Sequence, residues 1–384
     1  MARIIYALSG QGRGHTSRSM AITAALRERG HTVVFCGGGT AREILEDEGE
    51  RVIPVPALRQ IMEANRVQYG STLCCNGKTL LRAPSIINRL EDAFRAVDPD
   101  LLITDFEAFS PRAARRLGIP VLSFNHQQVV TEMQYDLPMR HWAASTLTGL
   151  AIRLIAPRSP EHMLLTSFFF APLKHPERTT LVPPIIRPAV QDLEPTSGNH
   201  ILVYFNHPDG ARHILDVLKR VEASFIVYCE TSPSAVPPDN VQFKAPCLHG
   251  FLDDLASSRG VLCTAGFTLI SEALYLGKPL LVAPNQGIFE QTMNAIFLER
   301  EGLGKAVLDR PLAPDDVKDF LKHRHDYRAR LRNYAACGNH QAVECIEDIL
   351  ERFCAEMSPS EVVTHESASH SGARLASSEP LESF

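Results

Sequence analysis

The sequence predicts an α/β protein made of two Rossmann-like domains that face each other across a cleft. Short apolar runs alternate with helical patterns, and the order strand, turn, helix, strand begins at the N-terminus and again near residue 200. A proline-rich stretch separates the two halves. We therefore expect a first domain over residues 1–178, a linker over 179–195, a second domain over 196–356 and a disordered tail over 357–384.

Composition limits the class of protein. The 384 residues are 45% hydrophobic and 22% charged, with a formal net charge of −5, so nucleic acid is not an expected partner. The nine cysteines lack the spacing of metal ligands and favour a reducing compartment. The sequence has no secretory signal and no apolar run of about eighteen residues, so we expect a cytoplasmic protein with no membrane span.

A glycine-rich turn follows the first strand. Arg3–Ser9 reads as a buried strand, Gly10–His15 as the turn, Thr16–Arg29 as a helix and Thr32–Cys36 as the second strand. The turn spacing is G-x-G-x-G-H, which differs from the dinucleotide fingerprint, and no acidic residue ends the second strand. These residues predict a Rossmann-like opening that does not bind NAD.

Polar residues follow two further strands of the first half. Leu101–Thr104 and Val121–Phe124 are predicted strands on either side of a helix at Ser110–Leu117. Asp105 and His126 lie just past the carboxyl ends of these strands, where open α/β sheets bind ligands. We therefore expect both side chains to face the cleft.

Residues 129–172 are rich in large apolar side chains and include a predicted helix at Leu147–Ile155. We expect a helix and a strand that complete the first core. The alternative is a surface that contacts the acceptor or a membrane.

The second half repeats the alternation of strands and helices. The predicted helices are Ala211–Lys219, Pro314–Leu321 and Arg328–Arg352. The predicted strands are His200–Phe205, Phe225–Cys229, Val241–Lys244, Val261–Cys263 and Leu280–Pro284.

The most informative stretch is Val261–Ala295. Between two of its strands lie the small-residue turn Thr264–Thr268 and a helix predicted at Leu269–Leu276. Backbone N–H groups at a helix N-terminus favour a diphosphate, and Glu272 can accept two hydrogen bonds from a vicinal diol such as ribose.

This order resembles the donor-binding signature of GT-B glycosyltransferases, especially the family of the peptidoglycan-precursor N-acetylglucosaminyltransferase and related UDP-glycosyltransferases. The conserved positions of that signature correspond here to Gly266 with Ser271-Glu272 and to Glu290-Gln291 with Asn294-Ala295. The resemblance covers about residues 1–345. It implies a donor site formed by Gly266, Phe267, Thr268, Glu272, Glu290, Gln291, Phe251 and Asn206.

One loop departs from the family pattern. Relatives often carry a Gly-Gly-Ser/Thr loop after the first strand of the second domain, whereas this chain has Asn206-His207-Pro208-Asp209-Gly210. Asn206 is expected to bind the phosphates there, and the departure leaves the phosphate contacts of this loop open.

The resemblance also implies where the chemistry occurs. His15, which ends the first glycine-rich turn, is the expected base for the acceptor hydroxyl. Asp105 could orient His15 or act as the base itself. The remaining residues expected on the acceptor and phosphate side are Gly12, Arg13, Gly14 and His126.

No D-x-D pair follows a strand where a metal-dependent sugar transferase needs one, so we expect no essential metal and no cofactor beyond the nucleotide-sugar substrate. The sequence thus predicts an inverting, metal-independent hexosyltransferase with a nucleotide-diphosphate donor, expected to be a UDP-sugar. A UDP-amino-sugar epimerase of the same fold and a non-catalytic nucleotide-sugar-binding subunit are the alternatives. The acceptor is unknown; a lipid or lipid-linked acceptor and peripheral contact with the inner face of the membrane fit the apolar stretch.

Overall fold

The computed structural model describes residues 1–63, 66–157, 160–205, 214–229, 238–245, 248–332, 334 and 337–357. Over these ranges the chain forms two parallel sheets, each covered by helices on both faces. This is the arrangement that the alternating pattern predicts.

The first sheet has seven parallel strands in the spatial order β3-β2-β1-β6-β7-β8-β9. Ile4 and Tyr6 of β1 pack into one apolar cluster and Ile5 and Ala7 into another, because successive side chains point to opposite faces. A separate antiparallel hairpin consists of β4 (Met62–Glu63) and β5 (Arg66–Val67). The strands of the sheet are β1 (Arg3–Leu8), β2 (Thr32–Gly37), β3 (Val52–Pro54), β6 (Leu101–Asp105), β7 (Val121–Asn125), β8 (His162–Thr166) and β9 (Thr179–Val182).

The first helix begins earlier than predicted. Gly12 adopts φ +83° as the N-cap, so α1 begins at Arg13 rather than Thr16 and includes His15 in its first turn. The helices of this half are α1 (Arg13–Glu28), α2 (Gly39–Asp47), α3 (Tyr69–Leu81), α4 (Ala83–Val97), α5 (Ser110–Arg116), α6 (Val129–Glu132), α7 (Trp142–Ile155) and α8 (Pro188–Gln191).

The second sheet has six parallel strands in the order β12-β11-β10-β13-β14-β15. Its strands are β10 (His200–Tyr204), β11 (Ser224–Tyr228), β12 (Val241–Lys244), β13 (Val261–Cys263), β14 (Leu280–Val282) and β15 (Gly304–Ala306). Its helices are α9 (residues 214–218), α10 (Leu248–Ser257), α11 (Phe267–Tyr275), α12 (Phe289–Arg300) and α13 (Pro314–Leu331), and α14 (Asn339–Met357) follows. Of the predicted helix Ala211–Lys219, residues 211–213 lie outside the described residues and Lys219 is in a turn.

The domain boundaries differ from the prediction at both ends of the second half. Thr179–Val182, placed in the linker, is β9 at the edge of the first sheet. The last helix, placed in the second domain, returns to the first one, where Val343, Ile346 and Ile349 share a cluster with Ile4. An amphipathic pattern predicts that a helix has a face to bury, but it does not specify which sheet receives that face. The predicted tail beyond Met357 lies outside the described residues.

The prediction for the apolar stretch 129–172 is half right. Strand β8 and the following Phe168 and Phe169 are buried, as expected. In contrast, Ile152 is the sole buried residue of α7, and Leu147, Leu150 and Leu154 are 63%, 57% and 61% exposed. The apolar face of α7 is therefore a surface and does not complete the core.

Apolar side chains join the two domains. Phe169 of the first domain stacks on Phe297 of α12, with ring centroids 4.1 Å apart. Phe168 and Phe267 belong to the same apolar cluster. The described part of the chain contains no helix that is both long enough and apolar enough to span a membrane.

Candidate active site

The first cluster of polar groups lies at the carboxyl edge of the first sheet. Asp105 is the last residue of β6, which pairs with β1, and His15 lies in the helix that follows β1. His15 Nδ1 is 2.8 Å from Asp105 Oδ1. Adjacent parallel strands thus bring together two residues that are 90 positions apart in the sequence.

Asp105 is saturated with donors. Arg18 donates from Nε and Nη2 to Asp105, with the Nη2–Oδ1 distance 2.7 Å and the Nε–Oδ2 distance 3.0 Å. Asp105 is fully buried. Burial would raise the pKa of Asp105, but Arg18 and His15 together hold it below its usual value. Asp105 is therefore ionised at neutral pH.

These contacts define the tautomer of His15. Arg18 Nη2 also lies 3.3 Å from His15 Nδ1, but the shorter contact with an ionised carboxylate places the proton on Nδ1. Gln127 Nε2 lies 3.4 Å from Nε2 of His15 and can donate to it. In this tautomer Nε2 of His15 carries no proton and lies on the side of the ring away from Asp105.

The second cluster follows β13 of the other sheet. Ala265 has φ +63°, in the left-handed region, directly before the N-cap Gly266. No side chain caps α11, which begins at Phe267. The first N–H groups of α11 therefore remain available to an anionic group, which the helix dipole also favours.

Glu272, one turn into α11, is 2% exposed and pairs with an arginine that sequence reasoning did not find. Arg187 donates from Nη2 to Glu272 Oε2 at 2.9 Å, and its Nε lies 2.8 Å from Oε1. Burial raises the pKa of Glu272, and Arg187 offsets only part of that effect. Arg187 immediately precedes α8 in the segment between the two sheets.

The two clusters meet where the domains touch. The ring of His126 stacks on Phe267, with centroids 3.7 Å apart, and His126 Nε2 lies 2.9 Å from Asn294 Oδ1. A Cβ atom added at Gly14 would lie 2.4 Å from Oγ1 of Thr268. The start of α11 therefore faces the His15 loop directly.

Glu290 and Gln291 at the start of α12 have different environments. Gln291 is buried and accepts a hydrogen bond from the backbone N–H of Asn285 at 2.9 Å, so it supports the loop after β14. Glu290 is partly exposed, and its charge opposes the lowering of the His126 pKa by burial. Of the two, Glu290 is the side chain free to face a sugar.

The sequence profile of glycosyl transferase family 1 matches residues 2–324. The chain belongs to this family. An uncharacterized glycosyltransferase of Methanosarcina mazei is 23% identical over 350 residues, covering 83% of this chain and 89% of the relative. The UDP-N-acetylglucosamine–N-acetylmuramyl-(pentapeptide) pyrophosphoryl-undecaprenol N-acetylglucosamine transferase of Cupriavidus metallidurans is 24% identical over 362 residues, with the same coverage of both chains.

Solved structures with the same fold are also glycosyltransferases. The spinosyn rhamnosyltransferase SpnG complexed with thymidine diphosphate has a TM-score of 0.64 at 14% identity, covering 90% of this chain and 100% of that one. MurG of Acinetobacter baumannii has a TM-score of 0.61 at 14% identity, covering 91% and 100%. These comparisons confirm the GT-B fold and the prediction of a glycosyltransferase.

The remaining predicted positions of this glycosyltransferase are distributed around the two clusters. Phe251 contacts the rings of Tyr204 and Tyr228, with centroids 5.4 and 5.1 Å away. Gly12 and Arg13 are exposed at the start of α1. Asn206 lies outside the described residues.

Proposed function

We propose that this glycosyltransferase transfers a hexose from a nucleotide-diphosphate sugar to an acceptor hydroxyl with inversion, using His15 as the general base. The observation that carries the proposal is the His15–Asp105 pair, which faces the uncapped N-terminus of α11 across the domain contact. His15 Nε2 takes the proton of the acceptor hydroxyl as that oxygen attacks the anomeric carbon. The diphosphate leaves on the opposite side of that carbon, so one displacement inverts it.

The donor side of the proposal rests on α11. The amides that begin at Phe267 receive the diphosphate, and the helix dipole stabilises the charge that develops on it. We propose that these groups suffice without a metal ion and that no cofactor is needed. Glu272 accepts hydrogen bonds from the ribose diol while Arg187 keeps the carboxylate oriented.

We propose uridine as the base of the donor. The partly exposed rings of Phe251 and Tyr204 give an aromatic surface for a pyrimidine ring, and the buried ring of Tyr228 supports Phe251. The Cupriavidus relative is named for a UDP-sugar donor, whereas SpnG was solved with thymidine diphosphate. A thermal-shift series with UDP, GDP and dTDP tests the choice, because a bound nucleotide stabilises the folded state. A larger shift with GDP or with dTDP than with UDP would contradict uridine as the base.

The acceptor is proposed to be lipid-linked. Trp142 adds a 58% exposed indole to the exposed leucines of α7, and Arg153 on the same helix is exposed. An apolar face with basic neighbours suits an anionic lipid surface. Replacing Leu150 and Leu154 by serine should reduce turnover of an acceptor in vesicles without reducing turnover of a short-chain, water-soluble one. Ala143→Ser is the control on the same helix, and equal loss with both acceptors would contradict this role.

Two substitutions separate the donor site from the base. Glu272→Gln should weaken UDP binding by roughly 2 kcal/mol through the loss of charge-assisted hydrogen bonds, as measured by calorimetry. His15→Ala should lower kcat about 10²- to 10⁴-fold and leave UDP affinity unchanged. Glu301→Gln and His340→Ala, at exposed positions, are the matched controls. Unchanged UDP affinity in the first variant refutes the donor site, and unchanged kcat in the second refutes the base.

A further inference from the structure

A cavity of about 180 Å³ lies on the second domain, at the amino-terminal ends of β13 and β14. The turn at Gly266 lies at the opposite, carboxyl-terminal ends of these strands. The walls of the cavity come from the loops that precede β13 and β14 and from the end of α13. The turn at Gly266 follows β13, whereas the loop with Lys278 follows the far end of α11. Nine helical residues span roughly 14 Å, so a group bound in this cavity is not the diphosphate of the donor.

Four basic residues line this cavity: Arg259, Lys278, Arg328 and Arg332. The other walls are proline, glycine, leucine and serine, and none of the lining residues is acidic. Among the described residues, no carboxylate lies within 4.0 Å of the basic groups of these four side chains.

Lys278 is the buried member of the group, with 4% exposure. Its Nζ donates to the carbonyl oxygens of Thr196 and Ser258, at 2.5 and 2.8 Å. An ammonium group has three donors, so one remains for a ligand. Burial lowers the pKa of Lys278 to about 8, and the charge of Arg328 adds to that effect. A nearby anion would reverse both influences.

The arginines also have unused hydrogen-bonding capacity. The Nε atom of Arg259 is buried and has no hydrogen-bond partner. Burial lowers the pKa of Arg259, and Arg324 lowers it further. Arg328 and Arg332 are exposed at the end of α13, and Arg328 makes a 3.3 Å contact with the Ser197 hydroxyl. These positive charges repel one another, and the described part of the chain places no carboxylate within 4.0 Å of them.

We propose that this cavity is an anion site for a phosphate or diphosphate group. Its volume of about 180 Å³ is large enough to admit such a group. Two guanidinium forks at the rim and a buried ammonium group suit the several oxygens of a phosphate. The group could belong to a free phosphorylated molecule or to a lipid headgroup. The inference does not depend on the proposed donor or base.

Titration of the full chain with inorganic pyrophosphate tests the proposal. Saturating UDP is present to occupy the donor site, and calorimetry measures the affinity. The double variant Arg328→Gln with Arg332→Gln should bind pyrophosphate at least about tenfold more weakly than wild type. Lys318→Gln with Lys322→Gln removes the same charge from exposed positions of α13 away from the cavity and should bind as wild type does.

A second arm identifies the source of the phosphate. Cosedimentation with phosphatidylcholine vesicles, with and without phosphatidic acid, detects binding of a lipid headgroup. The site is supported if the arginine double variant loses binding in either experiment while the lysine double variant does not. Equal weakening in both double variants shows a general charge effect and overturns the proposal, as does the absence of wild-type binding in both arms. Arg328 and Arg332 are exposed, so unchanged melting temperatures should confirm that the variants fold.

Discussion

Asp105 and Glu272 are buried carboxylates that each pair with an arginine, on opposite sides of the domain contact, yet their pKa values move in opposite directions. Asp105 receives hydrogen bonds from both Arg18 and His15, and these hold its pKa below the usual value despite burial. Among the described residues Glu272 pairs with Arg187 alone, and burial raises the pKa of Glu272. Asp105 is thus fully satisfied by the protein, which suits a group that orients another. Glu272 keeps acceptor capacity, which suits a group that receives a ligand.

The difference also lies in where the arginines come from. Arg18 belongs to α1, which carries His15 as well, so the Asp105 network is built within one domain. Arg187 precedes α8 in the segment that joins the two sheets. The orientation of Glu272 therefore depends on how that segment lies between the domains.

The largest effect is expected from Asp105→Asn. An asparagine leaves Arg18 without its counter-charge and no longer selects the Nδ1–H tautomer of His15, so kcat should fall about 10³- to 10⁴-fold. Breaking the buried pair should also reduce the free energy of unfolding by roughly 3–5 kcal/mol. Steady-state kinetics and urea unfolding measure the two effects. Asp98→Asn is the control, because Asp98 pairs with Arg3 at the surface. If kcat in Asp105→Asn stays near that of wild type, Asp105 does not orient the base.

Arg187→Met should have the next largest effect. Without the guanidinium, the effect that opposes burial is lost, so the pKa of Glu272 should rise further and its carboxylate is no longer oriented; UDP affinity should fall about tenfold. The loss should become smaller as the pH is raised, because a higher pH favours the ionised carboxylate. Arg187→Lys restores the charge and should remove that pH dependence, although it lacks the planar guanidinium group. Equal UDP affinity in Arg187→Met and wild type at every pH would show that Glu272 does not need its partner.

Gly14→Ala probes the contact between the two clusters. The added methyl group would lie 2.4 Å from Oγ1 of Thr268, so the domains must separate slightly or Thr268 must move. Overpacking of this kind costs about 1–3 kcal/mol of unfolding free energy, measurable by urea titration. Adding Thr268→Ala should recover most of the loss. Gly70→Ala is the control, because no atom lies within 4 Å of its added Cβ. A double variant as unstable as the single one would place the strain elsewhere.

The features that the sequence predicted depend on short segments. The strands appear as apolar runs, and the donor turn appears as small residues between a strand and a helix. His15 and Asp105 could be paired in advance because both follow strands of one parallel sheet, and β1 and β6 proved to be neighbours.

Contacts between distant segments could not be predicted in the same way. Arg187 and Glu272 are 85 positions apart, and His126 and Asn294 are 168 apart, with no shared strand order to relate them. The same limit explains α14, whose apolar face was visible while its partner sheet was not. It also explains α7, since an apolar pattern does not reveal whether another element covers it.

The smallest expected effect is in the pH dependence of stability, where the two carboxylates should oppose each other. Folding lowers the pKa of Asp105, so its ionised form favours the folded state. That contribution is complete above the unfolded pKa of about 3.9 and is lost as the pH falls through the lower folded value. Folding raises the pKa of Glu272, so its contribution is complete below about pH 4.3 and is lost as the pH rises through the raised value.

Urea unfolding from about pH 3 to about pH 7 separates the two contributions, because each variant removes one titrating group. In Asp105→Asn, the loss of stability towards acid should be shallower than in wild type. In Glu272→Gln, stability should decline less between about pH 4 and about pH 7. Curves that run parallel to wild type in both variants would mean that neither carboxylate changes its pKa on folding. Asp105 and Glu272 would then no longer differ in how far the protein satisfies them. There would be no reason to assign Asp105 to orienting His15 and Glu272 to binding the ligand.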